Sequence, residues 1–276
     1  MHCHKGINGM QIHGLNKTTL LDYPEHVAAT VFTGGCNFRC PFCHNAGLVL
    51  EPDAQESIPE EEVLSFLQKR RGILQGVCIT GGEPTLQPDL ADFIGKVKEL
   101  GYPVKLDTNG YRPEVLRELL DKKLLDYVAM DIKASKENYA RASGLCRIDL
   151  DRIEESVEIL KNSGISYEFR TTVVAGIHSM EEFDAIGRWL AGSRAYYLQA
   201  YREDENVDIL QKVGVKDAVC QHGSADGSEL WRDAESVGRE EYPDVPGLGN
   251  FTRKDMEQIA DIARKYIDNV KLRGIE

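Results

Sequence analysis

Short apolar runs rich in β-branched residues alternate with amphipathic helical stretches through most of this chain, and that alternation restricts the fold more than any other feature. The runs fall at 27–33, 77–80, 104–108, 127–132, 167–174 and 195–200, and the helical stretches between them at 58–71, 88–100, 113–120, 150–162 and 179–190. Ser179 and Glu182 have the spacing of a capping box at the start of the last of these. Strands linked by crossover helices make a parallel sheet, because each helix covers one of its faces. Six such units are about three-quarters of the eight that close a TIM barrel. The expected fold is therefore α/β, a partial (βα)6 TIM-like barrel.

Between 202 and 250 the periodicity stops, and residues 202–244 hold 5 basic against 12 acidic residues, a balance of −7. A helix at 251–267 and a short strand at 270–272 follow. The expected organisation is a barrel core over 1–201 with a loose N-terminus at 1–12, an acidic irregular insertion or lid over 202–250, and a C-terminal helix over 251–276 packed on the core.

Charge and apolar patterning exclude two partner classes. A net charge of −12 over 276 residues gives no basic surface for phosphate contacts, so nucleic acid is not expected as a partner. No stretch reaches the roughly 18 apolar residues that span a bilayer, and the N-terminus has no apolar signal core, so a cytoplasmic protein without a membrane partner is expected. Seven unevenly spaced cysteines suggest a reduced chain rather than a disulfide framework.

Three of those cysteines, Cys36, Cys40 and Cys43, crowd into the loop after the first apolar run, beyond Gly34 and Gly35. Three thiolates can hold three irons of a [4Fe–4S] cluster and leave the fourth open, whereas a structural metal site fills every position with protein ligands. Zinc is the alternative, with His44 completing a Cys3His set, but adjacent Cys43 and His44 cannot easily both point at one tetrahedral ion. Three unrelated buried cysteines are the other alternative. Cys3, Cys78, Cys146 and Cys220 form no second cluster motif, and Cys78 falls inside a strand.

In a parallel barrel, polar residues at the C-terminal ends of strands share one rim. Here the cysteine loop, Gly81-Gly82-Glu83-Pro84, Asp107-Thr108-Asn109-Gly110 and Asp131-Ile132-Lys133 all occupy such ends. Alternation along the strand puts Asp131 and Lys133 on the same side. Arg170, near the start of the fifth run, either reaches a carboxylate on this rim or makes a helix-facing salt bridge.

The C-x3-C-x2-C spacing followed by Gly81-Gly82-Glu83-Pro84 resembles the radical S-adenosylmethionine (SAM) superfamily. The segment from Gly14 to Pro24, residues 32–45 and Asp107-Thr108-Asn109-Gly110 are similar to activating proteins of anaerobic ribonucleoside-triphosphate reductase. The resemblance implies a [4Fe–4S] cluster on Cys36, Cys40 and Cys43, and SAM chelated to the open iron. An electron from the reduced cluster cleaves SAM to methionine and a 5′-deoxyadenosyl radical. It further implies SAM contacts from Phe42, Gly81, Gly82, Glu83, Thr108, Asn109, Asp131, Lys133 and Arg170, with Phe42 against the adenine and Lys133 by the carboxylate. A monovalent cation on Asp107, Thr108, the Ala129 carbonyl and Asp131 is implied as well. The implied partners are a glycyl-radical enzyme, whose glycine loses a hydrogen atom, and a flavodoxin or ferredoxin-like electron donor. Direct action on a small molecule or peptide is the second reading, and a zinc-stabilised scaffold without catalysis is the third.

Overall fold

The computed structural model describes residues 10–202 and 247–275. Its strands are β1 (Ile12–Thr19), β2 (Ala28–Thr33), β3 (Gly76–Gly81), β4 (Val104–Thr108), β5 (Tyr127–Asp131), β6 (Ser166–Val173), β7 (Tyr196–Ala200) and β8 (Val270–Arg273), hydrogen-bonded in that order. The strands from β2 to β8 run parallel, and β1 lies antiparallel on the outer edge of β2. The helices are α1 (Ala46–Leu50), α2 (Glu60–Lys69), α3 (Leu90–Glu99), α4 (Pro113–Asp121), α5 (Tyr139–Ser143), α6 (Leu150–Asn162), α7 (Glu182–Trp189) and α8 (Arg253–Ala263). Among the described residues no helix is long and apolar enough to cross a membrane.

The six expected strands are β2 to β7, and the sheet extends past both. β1 corrects the expectation of a loose N-terminus through residue 12: Met10 is buried and Ile12 already pairs with Thr33. It escapes a periodicity search because Gly14, Asn16 and Lys17 are poor strand formers and its register slips twice against β2. At the other edge, β8 pairs parallel with β7, and α8 packs against α7, where the Tyr266 hydroxyl donates to Asp184 at 2.7 Å. Residues 203–246 of the expected acidic insertion lie outside the described residues. At its far end Gly249 pairs with Ala175, in the loop that follows β6.

The apolar core lies between the outer face of the sheet and the helices, where Val77, Leu106, Met130 and Phe169 meet Leu67, Phe93, Leu116, Ile153 and Ile186. The inner face is different. A closed TIM barrel fills its interior with layers of branched apolar residues, but here alternate positions of the same strands carry Cys78, Lys105, Asp107, Tyr127, Glu168 and Arg170. Their charges are paired: Arg273 of β8 makes two bonds, 2.6 and 2.9 Å, to the fully buried Glu168 carboxylate, which also accepts from the Tyr127 hydroxyl at 2.7 Å. This polar column leads up to the rim.

Two helix starts differ from expectation. α2 begins at Glu60, with Pro59 before it, and places three glutamates in its first turn, where the helix dipole favours them. α7 is regular from Glu182, and the Glu182 carboxylate accepts the backbone N–H of Ser179 at 3.2 Å, one of the two bonds of the expected capping box, and also that of Ser135 at 3.0 Å. The second bond ties α7 to the segment after β5.

Candidate functional site

The chain leaves β2 at Thr33 and enters the cysteine loop through Gly34 and Gly35, while the neighbouring β3 ends in Gly81 and Gly82. These two segments touch backbone to backbone. Gly82 N–H donates to Thr33 O at 2.9 Å and Glu83 N–H to Gly35 O at 2.8 Å. A Cβ on Gly82 would stand 1.8 Å from the Gly35 carbonyl oxygen, so only glycine fits there. The far side of the loop is braced by α5, which was not expected from sequence. Arg39 N–H donates to Ser143 O at 2.8 Å, and a Cβ on Gly144, whose φ is 67°, would lie 2.0 Å from Arg39 O.

All twelve residues expected at the site line one open cavity of about 200 Å³. Cys36, Cys40, Cys43 and Phe42 form one wall; Gly81, Gly82, Glu83, Thr108 and Asn109 form the next; Asp131, Lys133 and Arg170 face them. Thr80, Asp107 and Thr172 add lining from the strands beneath. Phe42 is buried, with its ring centroid 6.3 Å from that of His178.

Glu83 is almost fully buried, and its carboxylate is engaged inside the protein. One oxygen accepts from Thr85 N–H at 3.1 Å, from the Thr85 hydroxyl at 2.5 Å and from the Thr108 hydroxyl at 2.7 Å; the other accepts Asn109 N–H at 2.7 Å. Burial pushes its pKa up against those bonds, which favour the ionised form. Structurally, Glu83 locks the ends of β3 and β4 together.

Arg170 points into the barrel and joins two carboxylates. Its Nε donates to Asp131 at 2.9 Å and its Nη1 to Asp107 at 3.0 Å. Lys133 lies 2.9 Å from the other Asp131 oxygen, and the buried Lys105 ammonium holds the other oxygen of Asp107. Burial would raise the Asp131 carboxyl, but Arg170 and Lys133 outweigh it and hold its pKa down at about 2. Asp107 is likewise lowered against burial by Arg170 and Lys105. The helix-facing alternative for Arg170 is thereby excluded.

The same contacts correct the implied monovalent-cation set. Three protein cations already sit on its two carboxylates, and the Thr108 hydroxyl is turned to Glu83. A further cation would meet a net positive group, so none is assigned. Lys105 is the residue sequence reasoning missed. The signal was available, since Lys105 and Asp107 alternate with Val104 and Leu106 in β4.

The cavity fits the group implied for it. Burial pushes the Cys40 thiol up to about 12 and raises Cys36 and Cys43 too, so these sulfurs become thiolates only beside strong positive charge such as iron. Among the described residues no group of three or more His, Cys, Asp or Glu is placed to hold a metal ion. Thiolates that each take a different iron of a cluster need not converge as ligands of one ion do. Among the described residues Cys36, Cys40, Cys43 and Cys78 are free thiols, as expected of a reduced chain.

The family model of the Radical SAM superfamily matches residues 30–190. A Methanocaldococcus jannaschii protein named as a glycyl-radical enzyme activating enzyme is 30% identical over 269 residues, 96% of either chain. The pyruvate formate-lyase-activating enzyme of Clostridium pasteurianum is 30% identical over 178 residues, 62% of this chain and 72% of its own. Among solved structures, Streptococcus suis SuiB bound to S-adenosylmethionine superposes with a TM-score of 0.58 at 13% identity, over 87% of this chain and 48% of SuiB, a likeness of fold. The chain therefore belongs to the radical SAM superfamily, within the family of glycyl-radical enzyme activating proteins, and is an enzyme whose cofactors are a [4Fe–4S] cluster and SAM.

Proposed function

We propose that this chain activates a glycyl-radical enzyme, abstracting a hydrogen atom from a glycine of that partner, and that the cavity described above is where SAM is cleaved. Cys36, Cys40 and Cys43 hold the cluster as thiolates. Bound there, the cluster supplies the electron that breaks the carbon–sulfur bond of SAM. Lys133 pairs with the SAM carboxylate, kept charged and aimed by Asp131. Gly81 and Gly82 offer backbone carbonyls to the ammonium group, and Phe42 gives the adenine an aromatic face. Thr108, Asn109 and Arg170 complete the walls, while Glu83 fixes the loops that carry them.

The observation that carries the choice of a protein substrate is the unclosed sheet. Among the described residues β1 and β8 are its two ends, and the side between them is one through which a protruding loop can reach the rim. Similarity along nearly the whole length of an activating-enzyme relative supports the same choice. Among such partners we favour anaerobic ribonucleoside-triphosphate reductase, on the likeness of Gly14 to Pro24 and of the Asp107 to Gly110 motif. In the structure the first of these is most of β1 together with the start of the turn into β2, which is pinned by the Thr30 hydroxyl donating to Asp22 at 2.6 Å. A flavodoxin or ferredoxin-like protein supplies the electron.

The test is anaerobic incubation of the reduced, reconstituted chain with SAM and such a reductase. A glycyl radical signal in electron paramagnetic resonance is expected. SAM cleavage that never yields the signal, and is stimulated instead by a small molecule or peptide, would overturn the protein-substrate reading.

A further inference from the structure

Asn109 is nearly fully buried and held at three points. Its backbone N–H donates to Glu83 at 2.7 Å, and its side-chain oxygen accepts the backbone N–H of Tyr111 at 2.9 Å. Because a backbone N–H can only donate, the atom facing Tyr111 is the amide oxygen, and this fixes the orientation of the side chain. The amide nitrogen, with two hydrogens, must then point the other way. It lies 2.7 Å from the side-chain oxygen of Asn37 and 3.9 Å from the Cys36 sulfur, which also accepts Phe38 N–H at 3.3 Å.

One hydrogen of that amide serves Asn37 and the other faces the sulfur. A cluster ligand that receives hydrogen bonds carries less electron density, and reduction adds negative charge to the cluster. Donors aimed at the sulfur therefore stabilise the reduced form and raise the reduction potential. We propose that Asn109 sets the reduction potential of the cluster by donating its second amide hydrogen to the Cys36 sulfur, with Glu83 as the positioning residue that holds Asn109 in place. The buried Glu83 carboxylate thereby fixes the backbone from which a cluster-tuning amide projects. The inference rests on Cys36 being a cluster ligand.

The experiment reconstitutes the full chain and its Asn109→Ala and Asn109→Asp variants anaerobically, counts iron and sulfide, and measures midpoint potentials by redox titration without SAM, so that any SAM contact of Asn109 does not enter. Asn109→Ala is expected to shift the midpoint negative by about 59 mV, which is a tenfold fall in the one-electron reduction equilibrium. Asn109→Asp keeps an oxygen toward Tyr111 and puts a carboxylate where the donor was, so its midpoint is expected lower still. Equal midpoints at equal iron content, or a positive shift, overturn the proposal. Loss of the cluster from both variants with secondary structure intact overturns it in favour of a purely structural Asn109. A wild-type chain that takes up no cluster overturns the reading of the cysteine triad, and this proposal with it.

Discussion

Arg170 donates to Asp131 at 2.9 Å from inside the barrel, on the side of the carboxylate opposite Lys133. Asp131 is thus shared between a buried strut and a lysine that faces the cavity. The strut fixes the carboxylate, and the carboxylate fixes the lysine.

If Lys133 binds the SAM carboxylate, its removal should weaken SAM binding without dismantling the site. A hydrogen bond to a charged group contributes about 1.5–3 kcal/mol, so Lys133→Ala should raise the Kd for SAM by one to two orders of magnitude. Anaerobic equilibrium binding to the reconstituted variant measures this; an unchanged Kd removes Lys133 from the SAM contacts.

The same pair sets a pH dependence. Asp131 has a folded pKa lowered to about 2, so its contribution to stability is complete above the unfolded value of about 4 and is lost as pH falls through the folded one. The apoprotein should lose stability between about pH 4 and pH 2, and Asp131→Asn should be less stable at neutral pH with a shallower slope across that window. Urea unfolding at several pH values reads both effects.

Deeper in the barrel, Lys105 is buried against Asp107, which Arg170 also reaches. Removing the carboxylate strands a buried ammonium. Asp107→Asn is expected to cost about 3–5 kcal/mol, and the double variant Lys105→Met with Asp107→Asn to recover part of that loss. A double variant no more stable than the single would contradict the pairing.

Much of this was legible before any coordinates. Short apolar, β-branched runs and helical patterning located β2 to β7, because the helix-covered face of each strand is apolar. The polar strand ends line one cavity because a parallel barrel gathers them on one rim, whereas their SAM contacts were implied by the family resemblance alone. What sequence could not supply was contact between elements. Glu83 and Asn109 lie 26 positions apart, and nothing local to either shows that one holds the other. The bracing of Arg39 by α5 crosses a still longer separation, and α5, with five residues, is too short for periodicity to reveal.

That bracing has a consequence of its own. A methyl group at Gly144 would collide with the Arg39 carbonyl, and the residue sits at positive φ. Gly144→Ala should therefore reduce iron incorporation by half or more while far-ultraviolet circular dichroism stays close to wild type. Full iron content in the variant would show that the cysteine loop holds its shape without α5.

The most direct measurement of the central claim is product analysis on the reduced, reconstituted chain given SAM alone, beside a variant with Cys36, Cys40 and Cys43 all changed to serine. Methionine and 5′-deoxyadenosine in equal amounts from the wild type, with about four irons per chain and neither product from the variant, are the expected result. A wild-type chain that holds zinc in place of iron, or leaves SAM intact with its cluster reduced, would contradict it.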